Sequence, residues 1–171
     1  LGLELPAAAV AARETRDDLD PSPALSIVRQ GPKSFEGRKL GILLTDGADA
    51  DLYGELTRAI QDAGGVCEVI APKISGVTLT NGEVVPAKQK IDGGPSVLYD
   101  AVAVLASDEG TEMLATDKTA KDFVNDAYAH CKFIGYAKKV LPLLEQAGIA
   151  DDLDEGCFSL NEGVGEFVEA L

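Results

Sequence analysis

The sequence predicts an α/β protein, a three-layer α/β/α domain on a mostly parallel sheet. Short, nearly all-apolar runs alternate with stretches of helical periodicity, as in open parallel sheets covered by helices on both faces. The apolar runs end in turn residues, and one Asn-Gly pair marks a short β-hairpin insertion. With 171 residues and a hydrophobic content of 46%, the chain has enough apolar surface for one globular domain and a connector.

The first half of the domain is divided by turn residues. Apolar runs predict strands, and glycines end the helix between them. The predicted elements are a strand at 39–45 before Asp46-Gly47, a helix at 49–63 before Gly64-Gly65, a strand at 66–71, and a hairpin of 76–80 and 83–86 around Asn81-Gly82.

The second half continues the alternation. The run at 101–106 is the most apolar strand candidate, and apolar residues recur every three or four positions from Ala120 to Cys131. The predicted elements are a strand at 101–106, a helix at 117–131, a strand at 133–137, a helix at 138–147 closed by Gly148, and a last helix that Asn161 caps and that ends at Ala170.

Residues 1–36 form a predicted connector, and residues 37–171 the domain. The alanine-rich stretch 7–12 favours a short helix, prolines interrupt structure within 17–23, and 25–28 suits a short extended piece. The chain does not begin with Met, so we expect it to be part of a longer protein.

The net charge of −14 excludes several classes of partner. Nucleic acids and anionic membranes require clustered Lys and Arg, which this chain lacks. No apolar run reaches the roughly 18 residues that a transmembrane helix needs, so we expect a soluble protein. The charge is also uneven, because eight acidic residues and no basic residue follow Lys139.

Three aspartates, Asp46, Asp49 and Asp51, follow the first strand at the edge where open parallel sheets bind ligands. A phosphate site needs free backbone N–H groups without negative charge, so the cluster argues against a flavin mononucleotide or NAD site. Its spacing also lacks the twelfth-position glutamate of a calcium loop. We expect Asp49 to cap the helix and its neighbours to favour the helix's positive end.

The only histidine, His130, lies beside Cys131. Adjacent residues on a helix point about 100° apart, so these two cannot act on each other. Cys131 falls on the apolar stripe, which predicts a core or interface thiol, Cys67 lies in a predicted buried strand, and Cys157 has acidic neighbours that raise its pKa. Three cysteines and one histidine, without Cys-x-x-Cys spacing, indicate neither a disulfide framework nor a zinc site.

The turn after the 133–137 strand lacks a nucleophile. Related folds present a reactive side chain at such a turn, whereas here Lys138 and Lys139 follow the strand. Nothing indicates the desolvation that a Schiff-base lysine needs, so we expect a solvated pair. One histidine and no Gly-x-Ser-x-Gly turn also argue against a serine triad. The sequence therefore predicts no catalytic, cofactor-binding or metal-binding residue in this chain.

Several segments together resemble the C-terminal extension of large-subunit haem catalases. They are residues 1–6, 22–26, 37–43 with Asp46-Gly47, 99–102 and 126–135. Their order and spacing extend the resemblance over essentially all 171 residues. The resemblance implies a flavodoxin-like domain related to the class I glutamine amidotransferase and PfpI-type superfamily.

Enzymatic members of that superfamily carry a Cys at the turn after the equivalent strand and a Glu on the first helix. The resemblance places these positions near Lys138 and Leu52, which argues against a hydrolase or deglycase. The haem-binding residues of the parent family belong to an upstream core, so haem is expected in the parent and no cofactor in this chain. The four tyrosines lack the surroundings of a haem ligand: Tyr53, Tyr99, Tyr128 and Tyr136.

The resemblance implies that the parent decomposes hydrogen peroxide to water and oxygen, while this domain is non-catalytic. The expected partners are the upstream core, the other subunits of a homotetramer and, for a chaperone-like role, unfolding client proteins. A cytoplasmic and a secreted parent both suit the sequence. One alternative is a stand-alone cysteine hydrolase or glyoxalase-like enzyme that uses Cys131. Another is a flavin-binding electron carrier, against which the three aspartates argue.

Overall fold

The computed structural model describes residues 8–14, 16 and 18–171, with the backbone alone at 27 and 28. The chain divides into two units, Leu1–Lys33 and Ser34–Leu171. The proposed role of residues 1–36 as a connector to an upstream core stays a prediction.

The first unit contains a 3-10 helix, Pro23–Leu25, and one helical turn, α1 (Ile27–Gln30). The extended segment predicted at 25–28 is therefore wrong. The hydroxyl of Ser26 accepts a hydrogen bond from the backbone N–H of Arg29 over 3.3 Å, which favours a helical turn.

The helix predicted at 7–12 is also wrong where the structure describes it, because residues 8–12 form no helix. Ala7 lies outside the described residues. Helix nucleation is costly, and so short a stretch gains too few hydrogen bonds to offset it without tertiary packing.

The second unit alternates strands and helices, as predicted. In chain order the elements are β1 (Lys39–Leu44), α2 (Ala50–Asp62), β2 (Val66–Ala71), β3 (Val77–Thr78), β4 (Val84–Val85), β5 (Gln89–Lys90), β6 (Ala101–Leu105), α3 (Asp108–Thr116), α4 (Lys118–Ala129), β7 (Ile134–Tyr136), α5 (Leu141–Ala147), β8 (Cys157–Ser159) and α6 (Val164–Ala170). One sheet has the order β5-β2-β1-β6-β7-β8 with parallel neighbours throughout. The strands β3 and β4 pair antiparallel as the predicted hairpin.

Two apolar layers cover the sheet and confirm the three-layer architecture. On one face α2 and α6 contribute Leu56, Ile60 and Phe167 to the core. On the other face α4 and α5 contribute Phe123 and Leu144. The central strands β1 and β6 are buried on both faces, which explains why their sequences are nearly all apolar.

Gly41 in β1 makes room for an aromatic ring. A Cβ atom at this position would lie 2.4 Å from Cδ2 of Tyr99, a distance that side chains do not tolerate. Tyr99 is 2% exposed and stands just before β6, so its ring covers the β1 backbone. The glycine is thus required by close packing rather than by a turn.

The helical layer beside β6 contains one helix more than predicted. Ser107 caps α3, because its hydroxyl accepts the N–H of Gly110 over 3.0 Å. Asp117 ends α3 and caps α4, accepting the N–H of Thr119 over 2.7 Å. The predicted helix at 117–131 is correct at its start but ends at Ala129.

Two short edge strands, β5 and β8, were missed, because neither has an extended apolar run. The helix predicted at 138–147 begins with a 3-10 turn, Lys138–Val140, and Gly148 ends it with a φ of 78°. The predicted cap at Asn161 is wrong, because α6 begins only after Gly163 and receives no side-chain cap.

No helix in the described part of the chain combines the length and the apolar character needed to cross a membrane.

Candidate functional site

The carboxyl edge of the sheet has a topological switch point between β1 and β6. From β1 the chain continues to β2 on one side, and β6 lies on the other side. Two cavities of about 390 and 300 Å³ lie at this edge, and Gly47 lines both. This is where an open α/β sheet binds its ligand, so it is the candidate site.

The first cavity, of about 390 Å³, lies between the loop after β2 and the start of α3. Its lining includes Asp46, Lys73, Val77, Ser107 and Met113. The second cavity, of about 300 Å³, lies between the start of α2 and the turn after β7. Its lining includes Asp49, Leu52, Thr80, Lys138 and Asn161.

Asp46 fastens the hairpin to the sheet. Its carboxylate accepts the backbone N–H of Thr78 over 2.8 Å, and the N–H of Gly47 donates to the Thr78 carbonyl over 2.7 Å. The hydroxyl of Ser107 donates to the Asp46 carbonyl over 2.7 Å, in addition to capping α3. The polar groups of the switch point are therefore engaged with one another.

The backbone N–H groups at the amino terminus of α2 are hydrogen-bonded by the chain's own side chains. Asp49 accepts the N–H groups of Asp51 and Leu52 over 2.9 and 3.1 Å, which confirms it as the predicted cap. The hydroxyl of Thr80 accepts the N–H of Ala50 over 3.0 Å. The three backbone N–H groups that a phosphate would need are thus already hydrogen-bonded, and carboxylates lie beside them. Both features disfavour a flavin or dinucleotide phosphate here.

In the turn after β7, a backbone N–H group is likewise hydrogen-bonded by a side chain. The side-chain oxygen of Asn161 accepts the backbone N–H of Lys138 over 2.7 Å. The Lys138 and Lys139 side chains are exposed and pair with Glu162 and Asp108 over 3.0 Å each. Such exposed pairs contribute at most about 1 kcal/mol.

The second cavity brings together the two positions that the resemblance singled out. Leu52 and Lys138, near which the resemblance places the superfamily's Glu and Cys, both line it. Leu52 is buried, and Lys138 points its amine to solvent. Asn161, which the sequence suggested only as a helix cap, is the polar residue that reasoning from sequence missed here.

Cys131 lies at the opposite, amino edge of the sheet, before β7. It is exposed and adopts a φ of 52°, so the predicted place in the core is wrong, while the predicted alternative of an interface thiol stays a prediction. The backbone explains this, because Cys131 and Lys132 donate back to Tyr128 and Ala127 as the helix ends. His130 beside it is also exposed.

The other two cysteines are partly buried thiols. Burial raises the pKa of Cys67 to about 11. Burial also raises the pKa of Cys157, and the nearby Asp154 carboxylate adds to this, as the sequence predicted. All three cysteines are free, and the described residues contain no group of three or more His, Cys, Asp or Glu side chains that could hold a metal ion.

The family described as the C-terminal domain found in long catalases matches residues 36–171. The chain belongs to this family. The long-catalase resemblance seen in the sequence is thereby confirmed.

This long-catalase domain has curated relatives that are much longer than the chain. It is 57% identical to Catalase C of Rhizobium meliloti (strain 1021) over 163 residues, which are 95% of this chain and 23% of the relative. It is 36% identical to Catalase HPII of Mycobacterium avium over 145 residues, which are 82% of this chain and 20% of the relative. The chain thus spans about a fifth of the length of these catalases.

Solved structures similar to the catalase domain confirm its flavodoxin-like fold. Oxidised DJ-1 of Toxoplasma gondii is 16% identical with a TM-score of 0.58, covering 66% of this chain and 62% of that one. A two-domain protein of Anabaena variabilis with DJ-1/ThiJ/PfpI-like and ferritin-like domains is 13% identical with a TM-score of 0.59, covering 71% and 40%. At these identities the likeness concerns the fold alone.

The residues of this catalase domain do not fit haem. A haem ligand needs open space beside it for the planar cofactor, whereas Tyr99 is 2% exposed and its ring packs against Gly41 of β1. Burial, together with the Glu68 carboxylate, raises the pKa of Tyr99 to about 12. Burial also raises the pKa of Tyr53 and Tyr136, and the Tyr128 hydroxyl donates to the Asp152 carbonyl. The only histidine, His130, is exposed at an open edge.

Proposed function

We propose that this chain is the non-catalytic C-terminal domain of a haem catalase, whose parent chain decomposes hydrogen peroxide to water and oxygen, and that the domain stabilises the parent tetramer. The observation that carries the non-catalytic role is the hydrogen bond between Asn161 and the N–H of Lys138. In an enzyme of this fold, a backbone N–H at this turn would be free to stabilise an oxyanion.

The neighbouring groups support this proposal. The resemblance places the superfamily's Glu near Leu52, whose side chain has no proton to transfer. Asp49 is engaged with two backbone N–H groups, and Ser107 with Asp46 and Gly110. The polar groups that line the two cavities are therefore hydrogen-bonded within the protein, where they stabilise the fold.

A chaperone-like role is a second candidate, favoured by an apolar rim at the first cavity. Met113 lines this cavity and is 44% exposed, and Ile74, between the lining residues Lys73 and Gly76, is 61% exposed. Flexible Met side chains adapt to varied apolar surfaces. The net charge of −14 would keep complexes with unfolded clients dispersed.

The stabilising role is tested by comparing the full-length parent with a parent that lacks residues 36–171. We expect equal initial rates of peroxide decomposition at 25 °C, but faster loss of activity and of the tetramer on heating the truncated protein, followed by activity and light scattering. Equal inactivation rates would refute the stabilising role, and a lower initial rate at full haem content would refute the non-catalytic one.

The chaperone-like role is tested separately with the 171-residue chain and a heat-aggregating enzyme. We expect light scattering to fall at molar excess of the chain, and less so for a Met113→Asp variant. Scattering that is the same with and without the chain would exclude this role.

A further inference from the structure

The tip of the β3–β4 hairpin is an Asn-Gly pair that is open to water. Asn81 and Gly82 are exposed, as are Thr80 and Glu83 on either side of them. The φ of Gly82 is 86°, and a Cβ atom added there would meet nothing within 4 Å. Because glycine has no side chain, the backbone nitrogen that follows Asn81 is not shielded by its own residue.

An asparagine side chain can react with the backbone nitrogen of the next residue. A bond between Cγ of Asn81 and the nitrogen of Gly82 would close a five-membered ring, a reaction that the proximity of the two groups favours. The nitrogen must lose its proton and approach Cγ closely. A side chain on the following residue hinders this approach, whereas glycine permits it.

The hydrogen bonds of the turn place the reacting groups. Oδ1 of Asn81 accepts the backbone N–H of Glu83 over 2.9 Å. Negative charge develops on this same oxygen when a nucleophile attacks Cγ, and a hydrogen-bond donor aimed at it stabilises that charge. The N–H of Gly82 donates to the Leu79 carbonyl over 3.0 Å, and this bond must open before the attack. Bonds at exposed loop tips open at a low cost in free energy.

We propose that Asn81 is a self-modifying site, at which the folded chain converts asparagine to aspartate and isoaspartate. The Gly82 nitrogen bonds to Cγ of Asn81 and gives its proton to the solvent. The side-chain nitrogen takes a proton from the solvent and leaves as ammonia. Water then adds to one of the two carbonyls of the resulting succinimide and breaks the bond from that carbonyl to the ring nitrogen, so that one opening gives aspartate and the other isoaspartate.

This reaction requires only the chain and water, so it is independent of the proposed function. Its isoaspartate product adds one carbon to the backbone between residues 81 and 82. The N–H of Leu79 donates to the Glu83 carbonyl over 2.8 Å, and the longer turn cannot keep this bond together with that of Gly82 in the present geometry. The hairpin supplies Val77 to the first cavity and Thr80 to the second. The modification therefore acts on the walls of both cavities.

The two other asparagines of the chain are internal controls. Asn125 lies inside α4 and is followed by Asp126. Asn161 is followed by Glu162, and its amide oxygen is held by the N–H of Lys138. Both precede a residue with a side chain, so both should react slowly.

The test incubates the folded 171-residue chain at mildly alkaline pH and follows the three asparagine peptides by mass spectrometry. We expect Asn81 to be converted at least about tenfold faster than Asn125 or Asn161, because only its neighbouring nitrogen is unhindered. Labelling by an isoaspartyl methyltransferase should detect isoaspartate at position 81. Equal rates at the three positions would overturn the proposal. An Asn81 that stays intact in the folded chain, while it reacts fully in the urea-unfolded chain, would do so as well.

Two variants test the chemistry and its consequence. Asn81→Gln should remain unmodified, because its longer side chain would have to close a larger ring. Asn81→Asp carries the new charge without the longer backbone. In urea unfolding we expect the isoaspartate form of the incubated chain to have a lower midpoint than Asn81→Asp. Equal midpoints would overturn the effect on the hairpin, and release of ammonia from Asn81→Gln as fast as from the wild type would overturn the assignment to Asn81.

Discussion

The amide oxygen of Asn161 lies 2.7 Å from the backbone nitrogen of Lys138 and accepts its hydrogen bond. This contact joins the segment after β8 to the turn after β7 at the carboxyl edge of the sheet. It holds together the carboxyl ends of the neighbouring strands β7 and β8 and leaves the backbone N–H of Lys138 unavailable to a ligand.

Replacing Asn161 by Ala should leave the Lys138 N–H without its protein partner. Because this bond lies at the surface, water replaces part of it, and we expect the free energy of unfolding to fall by about 0.5–1.5 kcal/mol. Urea unfolding measures the change. Asn125→Ala, at an exposed position of α4, is the control and should have a smaller effect. Equal losses in both variants would contradict a specific role of the bond.

Gly41→Ala should destabilise the domain, because the new Cβ atom would overlap the Tyr99 ring. Overpacking of this kind costs about 1–3 kcal/mol. The matched control is Gly54→Ala in α2, where a Cβ atom meets nothing within 4 Å. There we expect a gain of about 0.5–1 kcal/mol from helix propensity. Thermal unfolding of both variants measures these changes in stability. A Gly41→Ala variant as stable as the wild type would refute the packing argument.

Two buried serines offer a second matched pair. Ser107 caps α3 and donates to Asp46, whereas the buried hydroxyl of Ser96 has no hydrogen-bond partner among the described residues. We expect Ser107→Ala to lower stability by about 1–2 kcal/mol and Ser96→Ala to be nearly neutral. Chemical denaturation gives both values. A larger loss of stability for Ser96→Ala than for Ser107→Ala would show that the hydrogen bonds of Ser107 do not make the expected contribution.

Stability should fall at alkaline pH. Burial raises the pKa of Cys67 from 9.0 to about 11, so the unfolded chain releases this proton at a lower pH than the folded chain. The stabilising effect is complete below about pH 9 and is lost as the pH rises towards 11. Urea midpoints between pH 8 and 11 should therefore decline less steeply for Cys67→Ala. Cys131→Ala, which removes an exposed thiol, is the control, and parallel declines in all three proteins would contradict the prediction.

The central elements follow from local sequence because local physics determines them. Strands β1 and β6 are buried on both faces and so are apolar throughout, and Asn81-Gly82 specifies the hairpin turn. Helix α3 is different. Its buried residues include the small Gly110 and Thr111, so its apolar periodicity is weak.

The errors at Cys131 and Asn161 have different causes. Apolar spacing continues past Ala127 to Cys131, but the chain has already turned towards β7. Asn161 precedes a glycine and a helix, as a cap would, yet its partner lies 23 residues earlier in the chain. The outcome at Asn161 depends on a contact that is distant in sequence, which local patterns do not contain, whereas the outcome at Cys131 depends on the local backbone bonds that end α4.

Asp117 has a consequence for the dimensions of the helical layer. At about 1.5 Å per residue, α3 and α4 are roughly 14 and 18 Å long, close to the roughly 17 Å of the five-residue strand β6. A single straight helix over 108–129 would reach about 33 Å and extend well beyond the sheet. The break at one aspartate therefore matches the length of each helix to the length of the strands that the helices cover.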